Sequence, residues 1–125
     1  MLPIVLRVVG VVVLLLWGVA HILPLRSIVR GFGEVSASNR RILVGLWLFE
    51  AMGLVFLAAL VGLITYYGAF GDTLETTLVN AAVGFLYASA LLGALTKART
   101  ASVPMRLCPW VVAAVGTLFL LSNLL

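Results

Sequence analysis

Glu50 is the residue best placed to do chemistry: a lone carboxylate inside a long apolar run, with the only histidine, His21, near the end of the run before it. A carboxylate in hydrocarbon costs several kcal/mol unless it is neutral, paired or hydrated. Glu50 follows Arg41 by nine residues, or roughly 13 Å at 1.5 Å per residue, close to a bilayer midplane. At that depth a protonated acid donating a hydrogen bond is the expected form unless a cation lies nearby.

The same depth count selects its neighbours. Counting back from Lys97 places Tyr87 about 15 Å deep, and counting back from Arg26 places Trp17 near about 13 Å and His21 near about 7 Å. Trp17 and His21, four apart, share a helix face, as do Trp47 and Glu50, three apart. Asn80 lies on the Tyr87 face, two turns toward the outer surface. Together Glu50, His21, Tyr87, Asn80, Trp17 and Trp47 could line a pocket or relay for a lipophilic ligand, a proton or an ion. The competing reading makes Glu50 a register-setting hydrogen-bond donor, ties His21 to interfacial water or a carbonyl, and makes the tryptophans packing residues or anchors.

Several chemistries are excluded. One cysteine, Cys108, gives no internal disulfide, thiol pair or cysteine-based metal cluster, and reads as a small packing residue. No metal site and no cofactor are legible; one histidine cannot supply two axial haem ligands, and only a His/Met pair with Met52 or Met105 remains formally open. There is no nucleophile elbow or P-loop, and Gly31-Phe32-Gly33-Glu34 lacks the third glycine and the strand of a dinucleotide fingerprint. An enzyme would have to use Glu50 and His21 as acid and base, a thin basis for catalysis.

The positioning elements follow from composition. The 125 residues are 64% apolar and 10% charged, against roughly 45–50% and 25% in a soluble domain. So small a globule has too little interior for this, whereas four spans of about 20 residues fit the length. The expected fold is an all-α, antiparallel four-helix transmembrane bundle forming a single domain over 1–125, with helices at about 4–25, 41–67, 73–96 and 104–124. A signal peptide ending near Gly18-Val19-Ala20 competes for the first run, which is read instead as a span ended by Pro24. Residues 26–39 read as an interfacial loop or short helix. Ser38 or Asn39 is the expected cap of the second span, and Asp72 with Glu75 has capping-box spacing for the third. The short link at 68–71 implies that the second and third spans are antiparallel neighbours. Small residues one turn apart (Ala58 and Gly62; Gly84 and Ala88; Ala90, Ala94 and Ala98) mark expected contact faces.

Net charge is +4, yet nucleic acid is not implied, because the basic residues cluster at span ends rather than along a groove. Arg26, Arg30, Arg40 and Arg41, with Lys97, Arg99 and Arg106, place loops 26–40 and 97–103 in the cytoplasm and both termini on the other side of an inner or plasma membrane. The four arginines also suit anionic lipid headgroups. Arg7, on the opposite side, is within snorkelling reach of the outer headgroups.

The sequence Glu50-Ala51-Met52-Gly53, with Leu57 and Leu60 following, resembles the acid-then-glycine pattern of DoxX-like proteins. The resemblance covers about a quarter of the chain and implies an accessory membrane subunit rather than a reaction. Small multidrug transporters are similar in length but carry their acid in the first helix, and vitamin K epoxide reductase relatives need paired cysteines. Three roles stand at this point: a non-catalytic accessory or oligomeric subunit of a membrane assembly; a pocket or enzyme for a lipophilic substrate using Glu50 and His21; and a small transporter or channel with Glu50 as its intramembrane acid.

Overall fold

A computed structural model describes residues 1–68, 71–97, 100 and 102–125, with the side chains of residues 71 and 72 left out. The described residues form α1 (Leu2–Ala20), α2 (Leu25–Gly31), α3 (Ala37–Tyr67), α4 (Gly71–Thr96) and α5 (Val103–Leu124). Four of them, all but α2, are long and apolar enough to cross a membrane. The fold is therefore the expected all-helical, four-span arrangement, with α2 as the short helix of the first connection.

Two boundaries differ from expectation for local reasons. The first helix ends at Ala20 rather than near Leu25 because Pro24 has no N–H to offer the preceding turn. Leu25 N–H then donates to Ile22 at 3.2 Å, so neither residue takes up the His21 carbonyl. The third helix begins at Ala37, and its cap is Ser36 rather than Ser38 or Asn39; the Ser36 hydroxyl accepts from Asn39 N–H at 3.2 Å, satisfying one of the orphan amides of a helix start. At its other end Gly68, with φ +52°, takes the left-handed conformation that closes α3 and donates to Ile64 at 3.0 Å.

The packing order is α3, α1, α5, α4. The extensive contacts are between α4 and α5, α1 and α3, and α1 and α5, while α3 and α4 touch only lightly. A short link makes two helices antiparallel neighbours, as expected, but does not oblige them to pack closely, and here each packs more extensively on α1 or α5 than on the other. The core is a seam of Leu14, Leu54, Ala58, Val61, Val79, Leu86, Val112, Val115 and Phe119.

Without a hydrophobic force between helices in lipid, close approach depends on small residues. Ala58 is buried and a Cβ on Gly62 would meet Val11 at 3.4 Å, so that expected pair lies at the α1–α3 contact. Gly84, Ala88 and Ala94 are exposed, which corrects their assignment as contact faces within the bundle; Ala98 lies outside the described residues. The closer glycines are others. A Cβ on Gly10 would come within 2.6 Å of the Phe119 ring, and one on Gly18 within 2.9 Å of Val55 Cγ2 and 3.2 Å of its backbone nitrogen. With Leu14, fully buried between them, these glycines form the inward stripe of α1.

A side chain at Gly18 meets backbone, which cannot swing aside. Gly18→Val is expected to destabilise the detergent-solubilised protein by about 1–3 kcal/mol, read as a lower thermal midpoint, whereas Gly84→Ala, on an exposed face, is expected to leave the midpoint unchanged or raise it.

Candidate functional site

The polar residues gather in two clusters, one near each end of the bundle. At the end bearing both termini, Arg7 on α1 pairs with Glu75 on α4. Its guanidinium also donates to Ser122 Oγ at 3.2 Å and Asn123 Oδ1 at 2.8 Å on α5. Arg7 is thus turned into the bundle, not out to headgroups, because three hydrogen-bonding partners there replace water. Asn123 Nδ2 donates to Asn80 Oδ1 at 2.8 Å, so Asn80 belongs to this cluster. The proposed capping partner of Glu75, Asp72, has its side chain outside the described residues.

The second cluster is built around Glu50 on α3. One carboxylate oxygen is paired with Lys97 Nζ at the end of α4, and the other lies 3.5 Å from His21 Nε2. Trp47, one turn before Glu50, organises the group. Its indole N–H donates to the His21 carbonyl at 2.6 Å, the carbonyl left free by Pro24. Its ring stacks on the imidazole at 4.6 Å between centroids and 12° between planes, and Lys97 Nζ lies 5.5 Å over it. His21 is 5% exposed. Cys108, buried on α5, brings its sulfur close, so that donor atoms of His21, Glu50 and Cys108 lie within 4.8 Å of one another.

His21, Glu50 and Trp47 therefore meet, and the depth count needs correcting for the rest. Tyr87 pairs with Thr117 Oγ1 at 2.9 Å, Asn80 with Asn123, and Trp17 packs against the core cluster. Glu50 is level with the ends of α1 and α4, not with their middles, because α3 is 31 residues long and α1 only 19; the first turns of α3 run past α1 alongside α2. Lys97 was overlooked as a partner because it terminates a span and reads as a topology signal, yet a terminal lysine can reach back along its stem. Its cation makes the ionised form of Glu50 the paired one, in place of the lone neutral acid expected.

Beside the cluster, the light α3–α4 contact leaves a cleft of about 340 Å³. Leu46, Phe49, Gly53, Phe85, Leu92 and Val112 line its apolar part, and Glu50, Lys97 and Cys108 its polar end. Phe49, Phe85 and Leu92 are more than half exposed, so the cleft opens sideways between the two helices. A separate hollow of about 340 Å³ between α2 and the start of α3 is lined by Arg26, Arg30 and Arg40 with Leu25, Val29 and Val44. Arg41 is exposed one position on.

Removing one partner of a partly buried pair strands the other charge. Glu50→Gln and Lys97→Met are each expected to lower stability by about 1–3 kcal/mol. The double variant is expected to be less destabilised than the sum of the two, as thermal midpoints in detergent would show. Compared with protein families, curated proteins and solved structures, the chain matches none.

Proposed function

We propose that this small polytopic membrane protein binds an amphipathic lipophilic molecule, its apolar chain held in the α3–α4 cleft and its polar end at Glu50 and Lys97. The observation that carries this reading is the cleft itself: apolar walls open to lipid and, at one end, a carboxylate and an ammonium able to hydrogen-bond a headgroup. Its volume is at the lower end of the range of small-molecule pockets, about 300–1,000 Å³. Of the three roles the sequence allows, this one accounts for the cleft and its polar end together. A conducting path would call for polar groups lining the middle of the bundle, and between the two clusters the Tyr87–Thr117 pair lies on an exposed face.

The charge distribution supports an orientation as well. The end carrying the Glu50 cluster and the arginine-lined hollow faces the cytoplasm, where Arg26, Arg30, Arg40 and Arg41 meet anionic headgroups, and both termini face the opposite side.

Gly53 allows the cleft to be closed without disturbing packing, because a Cβ there has nothing within 4 Å. A photoreactive fatty acid in proteoliposomes is expected to label residues around Phe49 and Phe85 in the parent protein, and the labelling is expected to fall at least tenfold in a folded Gly53→Phe variant. Equal labelling of both would overturn the reading. For orientation, Glu34→Cys is expected to react with a membrane-impermeant maleimide from the cytoplasmic side only, and Tyr67→Cys from the opposite side only.

A further inference from the structure

His21 Nε2 is buried, has no hydrogen-bond partner among the described residues and points into a space that a carboxylate and a thiol also face. A buried nitrogen of this kind ordinarily finds a partner. Glu50 Oε2 stands 3.5 Å from it, on a carboxylate whose other oxygen pairs with Lys97. The donors come from three helices, α1, α3 and α5, so no sequence spacing announces them. Each is held from outside the space they face: the His21 ring by its stack on Trp47, Glu50 by the same helix as Trp47, and Cys108 by burial in the core, where Pro109, the next residue, packs on Gly93.

We propose that His21 Nε2, Cys108 Sγ and the Glu50 carboxylate form a three-ligand site for a borderline-soft divalent metal ion of the zinc class. Lys97 is the cation that stands in for the metal in the metal-free protein.

The donor set of imidazole, thiolate and carboxylate matches the preference of zinc, and three protein ligands with a fourth position open is the usual form of a reactive zinc site. Bond lengths of about 2.0–2.3 Å to nitrogen, oxygen and sulfur place tetrahedral donors roughly 3.3–3.8 Å apart. A set spread over at most 4.8 Å therefore closes by about 1 Å, within the reach of side-chain rotation.

Charge decides what Lys97 must do. With the metal bound, a divalent cation, a thiolate, a carboxylate and a neutral imidazole sum to zero, which a low-dielectric site tolerates. With Lys97 still in place the same site would carry +1. Metal entry therefore releases two cations, the Lys97 ammonium, which turns out toward the interface at the end of α4, and the Cys108 thiol proton, which passes to water. Two of the three ligands, Glu50 and Cys108, also line the cleft. The metal site nevertheless stands independently of what occupies the cleft, since metal binding is read without any lipid ligand.

Cobalt(II) added to the metal-free full-length protein in detergent is the test, because a thiolate ligand gives it a charge-transfer band in the near ultraviolet and tetrahedral geometry gives intense visible bands. One equivalent is expected to produce both, and zinc(II) is expected to bleach them. Cys108→Ser is expected to abolish the charge-transfer band, and His21→Gln to weaken binding at least tenfold. Lys97→Met, which removes the competing cation, is expected to tighten cobalt binding at least tenfold. Absence of the charge-transfer band in the parent protein, its survival in Cys108→Ser, or weaker binding in a folded Lys97→Met variant would each overturn the proposal.

Discussion

Charge neutralisation between helices is the constraint on which the arrangement depends. A helix in hydrocarbon satisfies its own backbone, but it has no means of satisfying a charged side chain except through a neighbour. α4 carries Glu75 near one end and is followed by Lys97 at the other, and each is matched by a different helix, Arg7 of α1 and Glu50 of α3. These pairs reach across a bundle in which α4 otherwise packs chiefly on α5. α3 and α4 pack more on α1 and α5 than on each other, and are joined by the short link after Tyr67 at one end and, among the described residues, by the Glu50–Lys97 pair at the other. The cleft lies between the two helices beside that pair.

The depth of the clusters follows from the same constraint. From Arg7 to His21 along α1 is about 21 Å at 1.5 Å per residue, less than the roughly 30 Å of a hydrocarbon core. Both clusters therefore cannot stand in the headgroups at once, and at least one is within the apolar layer. This accounts for the completeness of their pairing. Arg7 has partners on α4 and α5, and Glu50 has one cation in contact and an imidazole beside it. Trp47 adds a different kind of fit. The break that Pro24 makes in the first helix frees one carbonyl, and the indole N–H that takes it up brings with it the ring on which His21 stacks.

Much of this was legible in the sequence. Composition and run length are enough for four spans, because the bilayer dictates length and polarity almost regardless of detail. Glu50 and His21 stood out because ionisable groups are scarce in such runs, and Trp47 was placed with Glu50 by helical periodicity. Depth was the weak point. Counting inward from the nearest basic residue assumes that every span starts at the same level, and the long α3 breaks that assumption, moving Glu50 away from Tyr87 and toward Lys97. The link at 68–71 made α3 and α4 neighbours but said nothing of how closely they pack, and their contact is the lightest among the four spans that touch. The glycines that matter, Gly10 and Gly18, are identical in sequence terms to those that do not, and only the ring of Phe119 and the backbone of Val55 tell them apart.

The polar groups of the cleft lie at one end, where Glu50 of α3 meets Lys97 past the end of α4, and its apolar walls run along the side of the bundle through Phe49 and Phe85. On the proposed reading a ligand would enter laterally from the monolayer that borders the arginine-rich end, and the protein would sample that leaflet alone.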